Sequence, residues 1–155
     1  GGGGGPLGGE RERSRSLLSS RELWATVDVC NPADQRYTIG IRGSMPGDGH
    51  PRDTMYMAFE LQYLEGNGTW GNLSKDGSSG FIAVGSAKTT RQGGTSFQLM
   101  AVQGKGPFTM RGLATFQWRH GRRVVHEATR TTSAGHTTVA DADPAGYSAA
   151  RCSLS

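Results

Sequence analysis

A chain of 155 residues has room for one domain of the usual roughly 100–200 residues, so a second core is not expected. Glycine, at 25 residues, is well above the usual share of about 7%, while aromatic content is ordinary, so the excess marks turns and linkers and excludes a fibre. No run of about 18 apolar residues occurs, which excludes a membrane-spanning helix, and a net charge of +4 is ordinary for a small soluble domain.

Residues 1–21 read as a tether. They hold a glycine run and the alternating-charge stretch Glu10-Arg11-Glu12-Arg13-Ser14-Arg15, with almost nothing apolar to bury. Ordering them costs about 1–2 kcal/mol per residue in backbone entropy for little return. The pair Leu17-Leu18 offers a docking point or a short helical turn. Because the chain opens on Gly1 and not methionine, it reads as the processed or truncated part of a longer precursor.

From residue 22 onward β-type runs alternate with turn signals, the pattern of an all-β, antiparallel two-sheet β-sandwich of about eight strands. In the first run, residues 23–30, Leu23, Ala25, Val27 and Val29 alternate with Trp24, Thr26, Asp28 and Cys30. The run 37–43 follows, with Tyr37, Ile39 and Ile41 on one face, then a breaker-rich loop over 44–52. The clearest strand is 55–65, where Met55, Met57, Phe59, Leu61 and Tyr63 face one way and Glu60 and Gln62 the other. A helix would scatter those apolar side chains around its axis.

Shorter runs at 70–73 and 81–87 lead to 95–102, with Phe97, Leu99 and Ala101 inward. Residues 108–120 form a long strand with Phe108, Met110, Gly112, Ala114, Phe116 and Trp118 on its inner face. It reverses around Gly121, which supplies the positive φ a tight hairpin needs, into 122–132. A last strand, 147–154, follows the turn Asp141-Ala142-Asp143-Pro144-Ala145-Gly146.

Cys30 and Cys152 are the only cysteines and lie in the first and last runs. A disulfide between them ties the domain's ends together, and closing a loop of about 100 residues stabilises by roughly 4.7 kcal/mol in the chain-entropy model. This pairing and an oxidising compartment are favoured over two buried thiols in a cytosolic protein.

Nothing in the sequence assembles catalytic chemistry. His50, His120, His126 and His136 fall in or near loops and the hairpin, without HExxH or CxxC spacing, so neither a metal nor a cofactor is expected. Gly104-Lys105-Gly106 lacks the earlier glycine of a phosphate-cradling loop, because position 99 is Leu99, and reads as a turn. Asp141 and Asp143 lack the spacing and closing glutamate of a calcium loop and read as turn caps. Asn67-Gly68-Thr69 and Asn72-Leu73-Ser74 match glycan-acceptor sequons, which matter only in a eukaryotic secretory pathway, whereas the composition looks bacterial.

Two surface groups remain as ligand-binding candidates. Arg119, His120, Arg122 and Arg123 gather at one hairpin tip, with Arg111 and Arg130 further along, and such a patch attracts phosphates or acidic glycans. The blander reading is a solvated hairpin whose arginines discourage edge pairing. Trp24 and Trp70 are the tryptophans expected to be exposed, as platforms for sugar rings, while Trp118 belongs to the core.

The strand count, the Phe116-Gln117-Trp118 strand and the ending Asp143-Pro144-Ala145-Gly146-Tyr147-Ser148-Ala149-Ala150-Arg151-Cys152 resemble immunoglobulin-like and fibronectin-III-like modules of bacterial secreted or cell-surface proteins, over residues 22–155. The ending also resembles that of small secreted proteins of actinobacteria. Tyr147 stands five residues before Cys152, not two as in antibody domains, so the likeness is to sandwich modules at large. It implies a non-catalytic secreted or cell-surface module, structural or adhesive in role. The alternative is a binder of carbohydrate or cell wall using Trp24, Trp70 and the 119–123 tip. The expected partners are a cell-wall glycan or another surface protein, without nucleic acid, and with a membrane only through a segment outside these residues.

Overall fold

A computed structural model describes residues 15–73, 77–99 and 107–154. Nine strands form among them: β1 (Trp24–Cys30), β2 (Thr38–Met45), β3 (Thr54–Leu64), β4 (Trp70–Asn72), β5 (Ser78–Ser86), β6 (Arg91–Gln98), β7 (Phe108–His120), β8 (Arg123–Thr131) and β9 (Cys152–Leu154). They make an antiparallel sandwich, as expected. One sheet has the order β1-β2-β6; the other has β4-β3-β7-β8, with β5 also on β3 and β9 also on β7. Each long strand carries two short ones end to end on one edge. β4 pairs with residues 62–64 of β3 and β5 with 54–60; β9 pairs with 108–110 of β7 and β8 with 113–120.

The core lies between the sheets and follows the period-2 alternation of the strands. Met55, Met57, Phe59 and Leu61 of β3 meet Ala114, Phe116 and Trp118 of β7 and Ile39 and Ile41 of β2, all buried. The Trp118 indole N–H donates to the Pro46 carbonyl at 2.8 Å, which satisfies the one polar atom this side chain carries into the core. Gly121, with φ of 61°, closes the β7–β8 hairpin between His120 and Arg123.

The disulfide forms, with Cys30 and Cys152 Cα atoms 5.5 Å apart at a sequence separation of 122. It crosses the sandwich from β1 to β9. Simple alternation places Cys30 on the same side as Trp24 and Thr26, which is not where it sits. A bulge between Val27 and Val29 shifts the register and sets Cys30 opposite Ile39, turning it inward.

Several expected boundaries move. Ser44 and Met45 continue β2, so the loop starts at Pro46. Tyr37 is not an inward strand residue; it sits in the preceding turn with φ of 58°. β6 starts at Arg91 and takes in Gly93 and Gly94, whose turn-like composition hides a strand; a Cβ at Gly93 would lie 2.6 Å from Val84 Cγ1. The last run contracts to three residues, with Ala149 touching β1 through an isolated bridge to Val27. Phe108 is 40% exposed and not part of the core, because it begins β7. Of the Leu17-Leu18 pair, Leu17 docks in the core from a short helical turn at residues 15–18. The tether up to residue 14, the end of the 95–102 run and the Gly104-Lys105-Gly106 turn lie outside the described residues.

The two outer faces differ. Over the three-stranded sheet, residues 133–149 form a strap. Ser133 N donates to Ala25 O, Ala149 N to Val27 O and Asp143 N to Asp28 O, at 2.8–3.0 Å, which occupies the free edge of β1. Side chains fasten it across the face, through Thr26 to Ser148 at 2.6 Å and Arg42 to Asp141 at 3.3 Å. This is why β1 is buried on both faces. Over the six-stranded sheet, the outward side chains of β3, β5 and β7 include Tyr56, Phe81 and Arg119, and Phe81 and, on β8, Val124 are substantially exposed.

Candidate functional site

The strap decides the fate of Trp24. This side chain is 7% exposed and lies flat against His136, ring centroids 4.4 Å apart and planes 12° apart. The expectation that Trp24 is exposed therefore fails: a segment with no strand signal covers it. Burial holds the His136 imidazole below its ordinary pKa, and Ser133 Oγ stands 2.7 Å from its Nε2.

Trp70 has the opposite setting. It stands on β4 at the edge of the six-stranded sheet, opposite Leu64, and is partly exposed. Two guanidinium groups approach its ring: Arg111 at 4.2 Å from the centroid and Arg151 at 5.2 Å. Such contacts contribute about 0.5–1 kcal/mol each at exposed sites. Arg111 is aimed by Gln62, whose Oε1 accepts from Arg111 Nε at 2.8 Å, and Gln62 is itself tied to Asn72 at 2.9 Å. Burial, and then the charge of Arg151, hold the Arg111 pKa below its usual value. Neither arginine has an ion pair among the described residues.

The hairpin-tip residues do not act as one patch. Arg119 leaves the tip and lies over the sheet, 3.9 Å from the Tyr56 ring centroid and 4.9 Å from that of Phe81. Its Nε donates to Gln117 Oε1 at 2.8 Å, and Gln117 in turn bonds Glu127. His120 turns the other way and contacts buried Asp53, Nδ1 to Oδ1 at 2.7 Å. Arg122 and Arg123 are exposed.

Beside His120 lies a carboxyl pair. Asp48 Oδ2 is buried without a donor, and Asp48 Oδ1 accepts from His50 N at 2.8 Å. Burial and the Asp53 carboxyl push the Asp48 pKa up to about 6. Burial also works to raise Asp53, but hydrogen bonds with Asp48 and His120 outweigh it and hold Asp53 below the ordinary carboxylate value. One proton shared between two facing acids explains the opposite shifts. Among the described residues no group of three or more His, Cys, Asp or Glu side chains is arranged to hold a metal.

Sequence reasoning singles out Trp70 and Arg119 but not the groups that surround them. Alternation along β7 does put Arg111 and Arg119 on one face. Arg151, just before β9, and Phe81, on β5, reach that face from elsewhere in the chain, and no local signal announces them.

No family model matches the chain, and no curated protein matches it. Among solved structures, a β-glucuronidase of Bacteroides uniformis is 16% identical over 74% of this chain and 13% of its own length, with a TM-score of 0.38. A glycosyl hydrolase family 2 member from Bacteroides cellulosilyticus is 10% identical over 72% of this chain and 14% of its own, with a TM-score of 0.32. A sporulation control protein from Bacillus subtilis is 11% identical over 70% and 48%, with a TM-score of 0.33. The chain thus spans a small part of the glycosidases it is similar to, and likenesses at these scores carry no argument about its fold or its function.

Proposed function

We propose that this chain is a non-catalytic module of a secreted or cell-surface protein, structural or adhesive in role. The observation that carries this reading is the Cys30–Cys152 bond, which fastens the first strand of one sheet to the last strand of the other. Bonds of this kind persist in oxidising compartments and are rare in reducing ones. The test is expression of the same chain with and without export to an oxidising compartment. The reading expects protease-resistant, thiol-free protein only on export; equal yield, stability and free thiols in both would remove it.

A second reading, a carbohydrate-binding module, draws support from Trp70. An indole held at a sheet edge by polar neighbours suits contact with the apolar face of a sugar ring. Trp24 no longer contributes, and of the hairpin tip only Arg119 lies among aromatic rings. Binding on a glycan array that is lost in Trp70→Ala supports this reading. No binding by a folded protein leaves the structural role.

A further inference from the structure

We infer that the outer face of the six-stranded sheet is a track for a linear polyuronate, gripped at two stations, Arg111 and Arg151 at Trp70 and Arg119 at Tyr56 and Phe81. The inference deepens the carbohydrate-binding reading and rests on it.

Three features carry it. First, Arg111 and Arg151 converge on one indole with no carboxylate paired to either among the described residues, so two like charges stand together. An oxyanion that accepts from both guanidinium groups relieves this, and carboxylates match the guanidinium fork. Second, Arg119 repeats the arrangement, a guanidinium on aromatic rings with no ion pair among the described residues. Third, Arg111 and Arg119 lie on the same strand and the same face, eight residues apart, which at about 3.3 Å per residue separates the stations by about 26 Å along β7. That distance suits a polymer touching both, not a single sugar.

Charge density selects the polymer. Glu60 on β3 and Glu127 on β8 share this face with the three arginines, so it is only weakly positive overall. A densely sulfated chain or a nucleic acid demands a contiguous basic tract, whereas one carboxylate per sugar tolerates gaps.

The test is calorimetric titration of the full chain at low salt with polygalacturonate, galacturonate, dextran, heparin and single-stranded DNA. Polygalacturonate is expected to bind, more tightly than galacturonate because two linked stations act together. Arg151→Gln and Arg119→Gln are each expected to weaken binding by about tenfold, the scale of one lost charge-assisted bond. Glu60→Gln is expected to strengthen it. Arg122→Gln with Arg123→Gln is expected to weaken it less than Arg119→Gln does, since both side chains are exposed at the turn and belong to neither station. Phe81→Ser, at an exposed position, probes the second station should Arg119→Gln fail to fold.

Equal binding of dextran and polygalacturonate, abolished by Trp70→Ala, would overturn the acidic track while leaving the carbohydrate reading in place. Binding of neither polymer by folded protein would sink both. Heparin or DNA binding more tightly than polygalacturonate, through Arg122 and Arg123, would assign the face to general polyanion attraction and overturn the inference. Galacturonate binding as tightly as its polymer would overturn the two-station geometry.

Discussion

Trp24 stacks on His136 at 4.4 Å although 112 residues separate them, and this contact fastens the strap to the three-stranded sheet. The ring of Trp24 occupies the outward side of β1, which would otherwise face water. His136 is positioned for it by Ser148, whose Oγ accepts from the His136 backbone N–H at 3.2 Å, and Ser148 is held by Thr26 at 2.6 Å.

Burial under the strap favours a neutral imidazole and lowers the His136 pKa below its ordinary 6.5. A folded pKa below the unfolded value gives stability that is present above about pH 6.5 and is lost as pH falls through the folded value. His136→Gln should therefore lower the melting temperature at pH 8 and make less difference at pH 5, as read from thermal melts of both proteins across that range. A constant difference would separate the stack from the protonation state.

Asp48 has the opposite sign. Its folded pKa, about 6, lies above the ordinary 3.8, so its charged form costs stability, and that cost grows as pH rises from about 4 through 6. Asp48→Asn removes the charge and supplies an N–H to the Asp53 carboxylate. The variant is expected to melt higher than the native chain at pH 7.5 and no higher at pH 4. Equal melting temperatures at both pH values would contradict the shared-proton account.

Much of this was legible in the residues. The alternation of Met55, Met57, Phe59 and Leu61 needs only a half-buried strand to be explained, and Gly121 marks its hairpin without help from tertiary contacts. The strap was not legible, because it contributes backbone hydrogen bonds and small polar side chains to another element's edge and leaves no periodic apolar pattern. Trp24 reads as exposed for that reason, whereas the strap buries it. Alternation alone puts Cys30 on the wrong face because a one-residue bulge is invisible to a period-2 count. At the outer face, single arginines were visible, but the rings beneath Arg119 come from β3 and β5 and required the sheet order to be known.

The sheets approach closely where Gly112 faces Ile41. A Cβ at Gly112 would stand 2.5 Å from Ile41 Cδ1 and 2.9 Å from Thr132 Cγ2. Ile41 is fully buried and has little room to yield. Gly112→Ala is expected to destabilise by about 1–3 kcal/mol, the usual scale of overpacking. Ile41→Val removes the clashing methyl, so the double variant should recover part of the loss in a denaturant-melt cycle. Strict additivity of the two changes would show that the sheets are not in contact there.

A thiol count on exported, unreduced protein reads the Cys30–Cys152 bond that joins the two sheets of the sandwich. In denaturant no thiol is expected to label before reduction and two after, with Cys152→Ala costing about 4–5 kcal/mol of stability for a loop of this length. Two thiols labelled in the unfolded, unreduced chain would contradict it, and the extracellular reading would fall with it.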